Sequence, residues 1–139
     1  MKKMFLGMIT LAILVMQGAP VSANTLCSDG MIRNSYGFVG STVIDTIEGA
    51  LYCGVTGVFT FYGDGTARGS LTQACNGMVE TAKGVGTFTV SGSCTATAVV
   101  DFDDGDSGTF YFTITNGGND LMYVGAQPGV TFTGTGKKL

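Results

Sequence analysis

The chain has 139 residues, 7 basic and 10 acidic side chains, no histidine and no tryptophan, a length that holds one ordinary domain. The missing histidine excludes Ser-His and Cys-His nucleophile systems and His-containing metal sites. The sparse basic side chains argue against a nucleic-acid partner, which needs a concentrated positive face.

Residues 1–23 read as a bacterial secretory signal. Lys2 and Lys3 precede an apolar run from Met4 to Met16, and Val21-Ser22-Ala23 supplies small residues for cleavage before Asn24. The run is shorter than the roughly 20 residues of a spanning helix. Cys27 follows Thr25-Leu26, with no small residue before it, so it does not resemble a lipoprotein acylation site. Residues 24–139 are then one exported domain, secreted or periplasmic. Loss of Lys2 and Lys3 leaves 5 basic against 10 acidic side chains, with 21 glycines and 18 threonines.

Beyond residue 24 no helical periodicity is sustained. Apolar/polar alternation recurs instead, broken by Gly, Asn and Asp clusters every ten or so residues. Tyr36, Phe38 and Gly40 alternate in a first strand running toward Ile44. Leu51 to Phe61 and Thr66 to Cys75 flank Gly63-Asp64-Gly65, a hairpin signal. A three-residue turn centred on Asp64 sets Phe59 opposite Gly69, Phe61 opposite Ala67, Gly57 opposite Leu71 and Cys53 opposite Cys75. Large faces small at each apolar pair, as close packing on one face favours. Thr56, Thr60, Thr66, Arg68, Ser70 and Thr72 take the other face, which suits water. This register predicts the disulfide Cys53–Cys75, and elimination pairs Cys27 with Cys94. The alternative, a Cys-ligated metal site, lacks its usual close pair.

Asn76-Gly77 marks the next turn, after which Gly86, Phe88 and Val90 alternate with Thr87 and Thr89. Ser91-Gly92-Ser93 turns into Cys94, Ala96, Ala98, Val100 and Phe102. Asp103-Asp104-Gly105-Asp106 is a tip, followed by Phe110, Phe112 and Ile114. Asn116-Gly117-Gly118-Asn119 turns into Leu121 to Ala126. Gln127-Pro128-Gly129 then turns into Val130, Phe132 and Gly134. About eight short strands joined by tight turns make a meander, and closing a meander removes its edges. The expected fold is an all-β, antiparallel up-and-down barrel, with a Greek-key β-sandwich as the alternative. The threonines suit solvent-facing strand positions, and the glycines suit turns, bulges and curvature. Alternation alone does not say which face is inside. In an outer-membrane barrel the apolar face would meet lipid, but the tyrosines form no clear girdles and the polar face is mostly threonine.

Few residues could carry chemistry. Asp101, Asp103, Asp104 and Asp106 crowd oxygen ligands of the kind calcium takes. Gly105 falls at the wrong position for an EF-hand, so the cluster reads as an exposed hairpin tip. The glycine-flanked turns precede no helix and cradle no phosphate. Asp45, Glu48, Glu80, Tyr36, Tyr123 and Arg68 are the groups left for an acid/base site inside a barrel. Of these, Arg68 faces solvent, and Asp45 and Glu48 lie near one mouth as loop charge. No catalytic residue, metal ligand or cofactor is nominated. Phe38, Phe59, Phe61, Phe88, Phe110, Phe112 and Phe132, with Phe102, form either a filled core or the lining of an apolar ligand pocket.

Three stretches carry a resemblance: Leu26-Cys27-Ser28-Asp29-Gly30 with Tyr36-Gly37-Phe38; Gly84 to Val90 leading to Ser93-Cys94-Thr95; and Asn119 to Tyr123 leading to Gly134-Thr135-Gly136-Lys137-Lys138. Together they resemble small secreted bacterial proteins of unknown function whose barrels are similar to the lipocalin and allene-oxide-cyclase-like group. The resemblance implies a barrel able to hold a small apolar molecule. It carries over no catalytic residue, and the Gly-x-Trp start of lipocalins is missing. Three functions follow as expectations: a secreted or periplasmic barrel binding a small apolar ligand, a structural or interaction module with a filled core, and a His-free cyclase or isomerase using a buried acid and tyrosine.

Overall fold

The computed structural model describes residues 27–139; the secretory-signal reading of residues 1–23 lies outside them. Eight antiparallel strands close into a barrel in chain order, each paired with its sequence neighbours and β1 with β8. They are β1 (Ser35–Thr46), β2 (Gly49–Phe61), β3 (Thr66–Cys75), β4 (Met78–Val90), β5 (Thr95–Phe102), β6 (Ser107–Thr115), β7 (Asp120–Gln127) and β8 (Val130–Lys138). The up-and-down barrel is therefore the architecture, and the sandwich alternative is excluded.

The turns form where residue chemistry asks for them. At the β2–β3 turn, Gly65 takes φ +83°, and Tyr62 and Thr66 close the three-residue loop, the Tyr62 N–H donating to the Thr66 carbonyl at 2.8 Å. The Asp64 carboxylate accepts from the Thr66 hydroxyl at 2.6 Å and from the Thr66 N–H at 3.0 Å. These bonds favour the ionised form, so the Asp64 pKa lies below its ordinary value, the hydroxyl bond contributing most. Asn76 and Gly77 both have positive φ, 47° and 81°, the pair that matches a two-residue hairpin to strand twist.

The register around Asp64 is the one the sequence predicts: Phe59 faces Gly69, Phe61 faces Ala67, Gly57 faces Leu71 and Thr60 faces Arg68. The facing glycines have a steric cause. A Cβ on Gly69 would sit 2.1 Å from the Val58 carbonyl oxygen and 2.6 Å from the Phe59 ring, so a side chain there would displace the ring. The cysteines pair as Cys53–Cys75 and Cys27–Cys94, with Cα separations of 4.6 and 4.9 Å.

Strand pairing also fixes the barrel's lean. From Asn34, whose carbonyl accepts the Phe61 N–H, paired positions run through Ala67, Gly86, Val100 and Gly108, and then Val130, returning to β1 at Ile44, ten residues on. Ten residues of about 3.3 Å set against eight strand spacings of about 4.8 Å give a tilt of about 40°. Leaning strands cross the wall obliquely and must be longer, which is why the expected short strands run to 12 residues in β1 and 13 in β2 and β4.

The phenylalanine face points inward. Phe38, Phe59, Phe61, Phe88, Phe110, Phe112 and Phe132 are buried beside Ile32, Tyr36, Leu121 and Ile114. Their rings meet mostly edge to face, Phe61 on Phe88 at 5.1 Å between centroids, an arrangement aromatic quadrupoles favour. Threonines dominate the outer wall, with one exception. Thr42 faces inward and is 0% exposed, because it occupies the inward phase of β1 between Gly40 and Ile44. Among the described residues no helix is long and apolar enough to cross a membrane.

Candidate functional site

The two ends of the barrel differ. At one end the chain enters through a 3₁₀ turn, Asp29–Ile32, which the sequence reading did not anticipate. Ile32 is fully buried there, the Asp29 carboxylate accepts the Val90 N–H at 2.8 Å, and Cys27–Cys94 ties the entering chain to the β4–β5 turn. A second short 3₁₀ turn, Asn116–Gly118, lies alongside, and its Gly118 carbonyl accepts a hydrogen bond from the Tyr36 hydroxyl. This end is sealed.

The opposite end gathers the turns β1–β2, β3–β4, β5–β6 and β7–β8, and it is open. A cleft of about 680 Å³ enters the barrel there. Its wall is apolar, with Ile44, Val55, Leu71, Phe102, Val130 and Phe132. Its rim is polar, with Gln73, Glu80, Asp104, Asp106 and Gln127. The Cys53–Cys75 disulfide pins β2 to β3 beside this opening. At the rim, Gln127 Nε2 donates to Asp106 at 3.5 Å, and the Asp106 N–H donates to Asp104 at 3.0 Å.

Deeper in, Phe38, Phe59, Phe61, Phe110 and Phe112 line a small cavity of about 30 Å³, together with Leu71, Val100 and Tyr123. That space suits about one water. Of the other nominated rings, Phe132 lines the open cleft and Phe88 packs against Phe61.

Two hydroxyls point into this apolar interior. Tyr123 is buried and lines the small cavity. Its hydroxyl occupies room left by two glycines: a Cβ on Gly40 or Gly134 would lie 2.7 or 2.8 Å from it. Burial raises the Tyr123 pKa, as it does that of Tyr36, because a phenolate loses its hydration in such surroundings. Burial therefore favours the neutral phenol of Tyr123 over its phenolate. Thr42 is the second group. Its Oγ1 is the buried side-chain polar atom left without a partner among the described residues. It is paired with Cys53 on β2 and with cleft-lining Phe132 on β8.

The remaining nominated residues scatter. Arg68 is exposed on the outer wall, and Asp45 and Glu48 are exposed at the β1–β2 connection. Glu80 reaches the rim of the cleft. The four clustered aspartates belong to the β5–β6 tip, their carboxylates engaged locally: Asp103 accepts the Lys83 N–H at 2.8 Å and Asp101 accepts the Ser107 hydroxyl. No group of three or more potential metal ligands converges among the described residues. The sequence reading missed Thr42, Gln73, Gln127 and the cleft itself. Continuing the inward phase of each strand to its last residue would have exposed the first three. No protein-family model, curated protein or solved structure matches the chain.

Proposed function

We propose that this protein is an exported barrel that binds a small, largely apolar molecule through its open end. One observation carries the reading: one end is sealed by a turn and a disulfide, while the other opens into an apolar cleft of about 680 Å³ with a polar rim. That volume falls within the usual range of small-molecule sites, about 300–1,000 Å³, whereas the inner cavity of about 30 Å³ is too small for an organic guest. The ligand lies against Phe132, Phe102 and Val130 rather than among the central rings. The two disulfides accord with an oxidising compartment, secreted or periplasmic. The likeness to the lipocalin and allene-oxide-cyclase-like barrels is consistent with an interior guest and assigns no chemistry.

Titration with Nile red, a neutral apolar dye, tests the reading. Saturable one-to-one binding is expected, together with its loss in Ala82→Trp, which fills the cleft without touching the central rings. Equal dye binding by wild type and by an Ala82→Trp protein with unchanged circular dichroism would sink the proposal.

The interaction-module reading has its own supporting feature. Tyr111, Met122 and Val124 are exposed together on the outer face of β6 and β7, beside a shallow groove of about 500 Å³. Concentration-dependent NMR shifts at the Val124 methyls, lost in Met122→Lys, would support it.

A further inference from the structure

We infer that the ligand of the open cleft is a cationic amphiphile, a small molecule with an apolar body and an amine or quaternary ammonium head. The inference rests on the binding reading above and adds the charge of the guest. Each strand's direction assigns its charged residues to one end of the barrel. At the open end lie Asp45, Glu48, Glu80, Asp101, Asp103, Asp104 and Asp106, and one basic residue, Lys83. At the sealed end lie Asp29, Asp64 and Asp120 with Arg33, Arg68, Lys137 and Lys138. The barrel is thus electrically polarised, with seven acidic against one basic side chain around the mouth and three against four at the sealed end. Charges of one sign around a low-dielectric opening focus the field and concentrate ligands of opposite sign.

Three of these carboxylates, Glu80, Asp104 and Asp106, line the cleft itself, and no basic side chain does so among the described residues. Directly below them the wall is apolar. A guest that buries an alkyl or aromatic body against Phe102, Val130 and Phe132 therefore leaves its head level with the carboxylates. An ammonium head is attracted there, whereas a carboxylate head meets three like charges. A neutral head gains neither effect. The buried, unpartnered Thr42 hydroxyl stands on β1 directly opposite cleft-lining Phe132 and two residues before cleft-lining Ile44, so the wall below the carboxylates is not wholly apolar.

Isothermal titration of the disulfide-bonded protein with octyltrimethylammonium, octanol and octanoate tests the inference, each used below its micellar concentration. The cation should bind about tenfold more tightly than the alcohol, the combined effect of three exposed charge contacts, and the anion most weakly. The advantage should shrink with added salt. In the Glu80→Gln/Asp104→Asn/Asp106→Asn variant the cation should bind no more tightly than the alcohol does to that same variant. Cation and alcohol binding equally to the wild type would overturn the charge inference and leave the apolar-cleft reading standing. Failure of all three to bind would overturn both.

Discussion

Replacing Thr42 by valine tests whether the barrel interior carries an unsatisfied polar group. Thr42 is 0% exposed, and its Oγ1 has no partner, while Cys53 and Phe132 flank it in register. A buried hydroxyl without a hydrogen bond costs about 1–3 kcal/mol, and valine has nearly the same shape with a methyl in its place. Thr42→Val should therefore raise stability by about 1–2 kcal/mol. At about 2.1 cal/mol/K per residue, unfolding the 113 residues 27–139 changes entropy by about 0.24 kcal/mol/K. The expected rise in Tm is then about 4–8 °C. Thermal unfolding followed by circular dichroism, with both disulfides intact, measures it. Thr42→Ser keeps the hydroxyl and removes a methyl, so it should lose about 1 kcal/mol. An unchanged or lower Tm for Thr42→Val would refute the reasoning, because it would mean that the hydroxyl has a hydrogen-bond partner which valine cannot keep.

Further outcomes follow from the packing, the disulfides and the buried phenols. A Cβ on Gly125 would stand 2.4 Å from the Phe110 ring, and one on Gly136 2.4 Å from the Phe38 ring. Each Gly→Ala change should cost about 1–3 kcal/mol through overpacking, read as a lower urea midpoint. Removing Cys53–Cys75, which spans 22 residues, should cost about 3 kcal/mol, and removing Cys27–Cys94, which spans 67, about 4 kcal/mol, on the chain-entropy account. Both follow from denaturant unfolding of the paired Cys→Ala variants, and hydrogen exchange at the sealed end should accelerate only for the second. Tyr36 and Tyr123 have pKa values raised by burial, so the unfolded chain gives up these protons first. Their contribution to stability is complete below the ordinary phenol value of about 10 and is lost as pH rises through the higher folded values. Urea midpoints measured across alkaline pH should fall, and Tyr123→Phe should flatten the decline; an identical slope in the variant would contradict the assignment.

Much of this barrel was legible before any coordinates, because local rules and global closure agree. The Gly63-Asp64-Gly65 turn sets the β2–β3 register, the register sets large rings against glycines, and the same alignment brings Cys53 to Cys75. Short turns between every pair of strands leave a meander whose edges are satisfied by pairing β1 with β8. Alternation named the ring-bearing face but not the side on which it lies. Curvature decides that: the wall closes on the phenylalanines, whose bulk is matched by glycines that admit close backbone approach.

What alternation could not supply was depth along the barrel axis. It gives every inward residue the same weight, although Phe112 sits in a packed interior and Phe132 at an opening. Strand tilt decides which inward residues share a level, and tilt emerges only when eight pairings are summed around a closed wall. The seal is tertiary as well, since Ile32 is an ordinary residue in a short segment until Cys27–Cys94 and Asp29 hold it over one end. The polarised charge was present in the composition as ten carboxylates. Only the up-and-down path, which returns every second turn to the same end, gathers seven of them around one mouth.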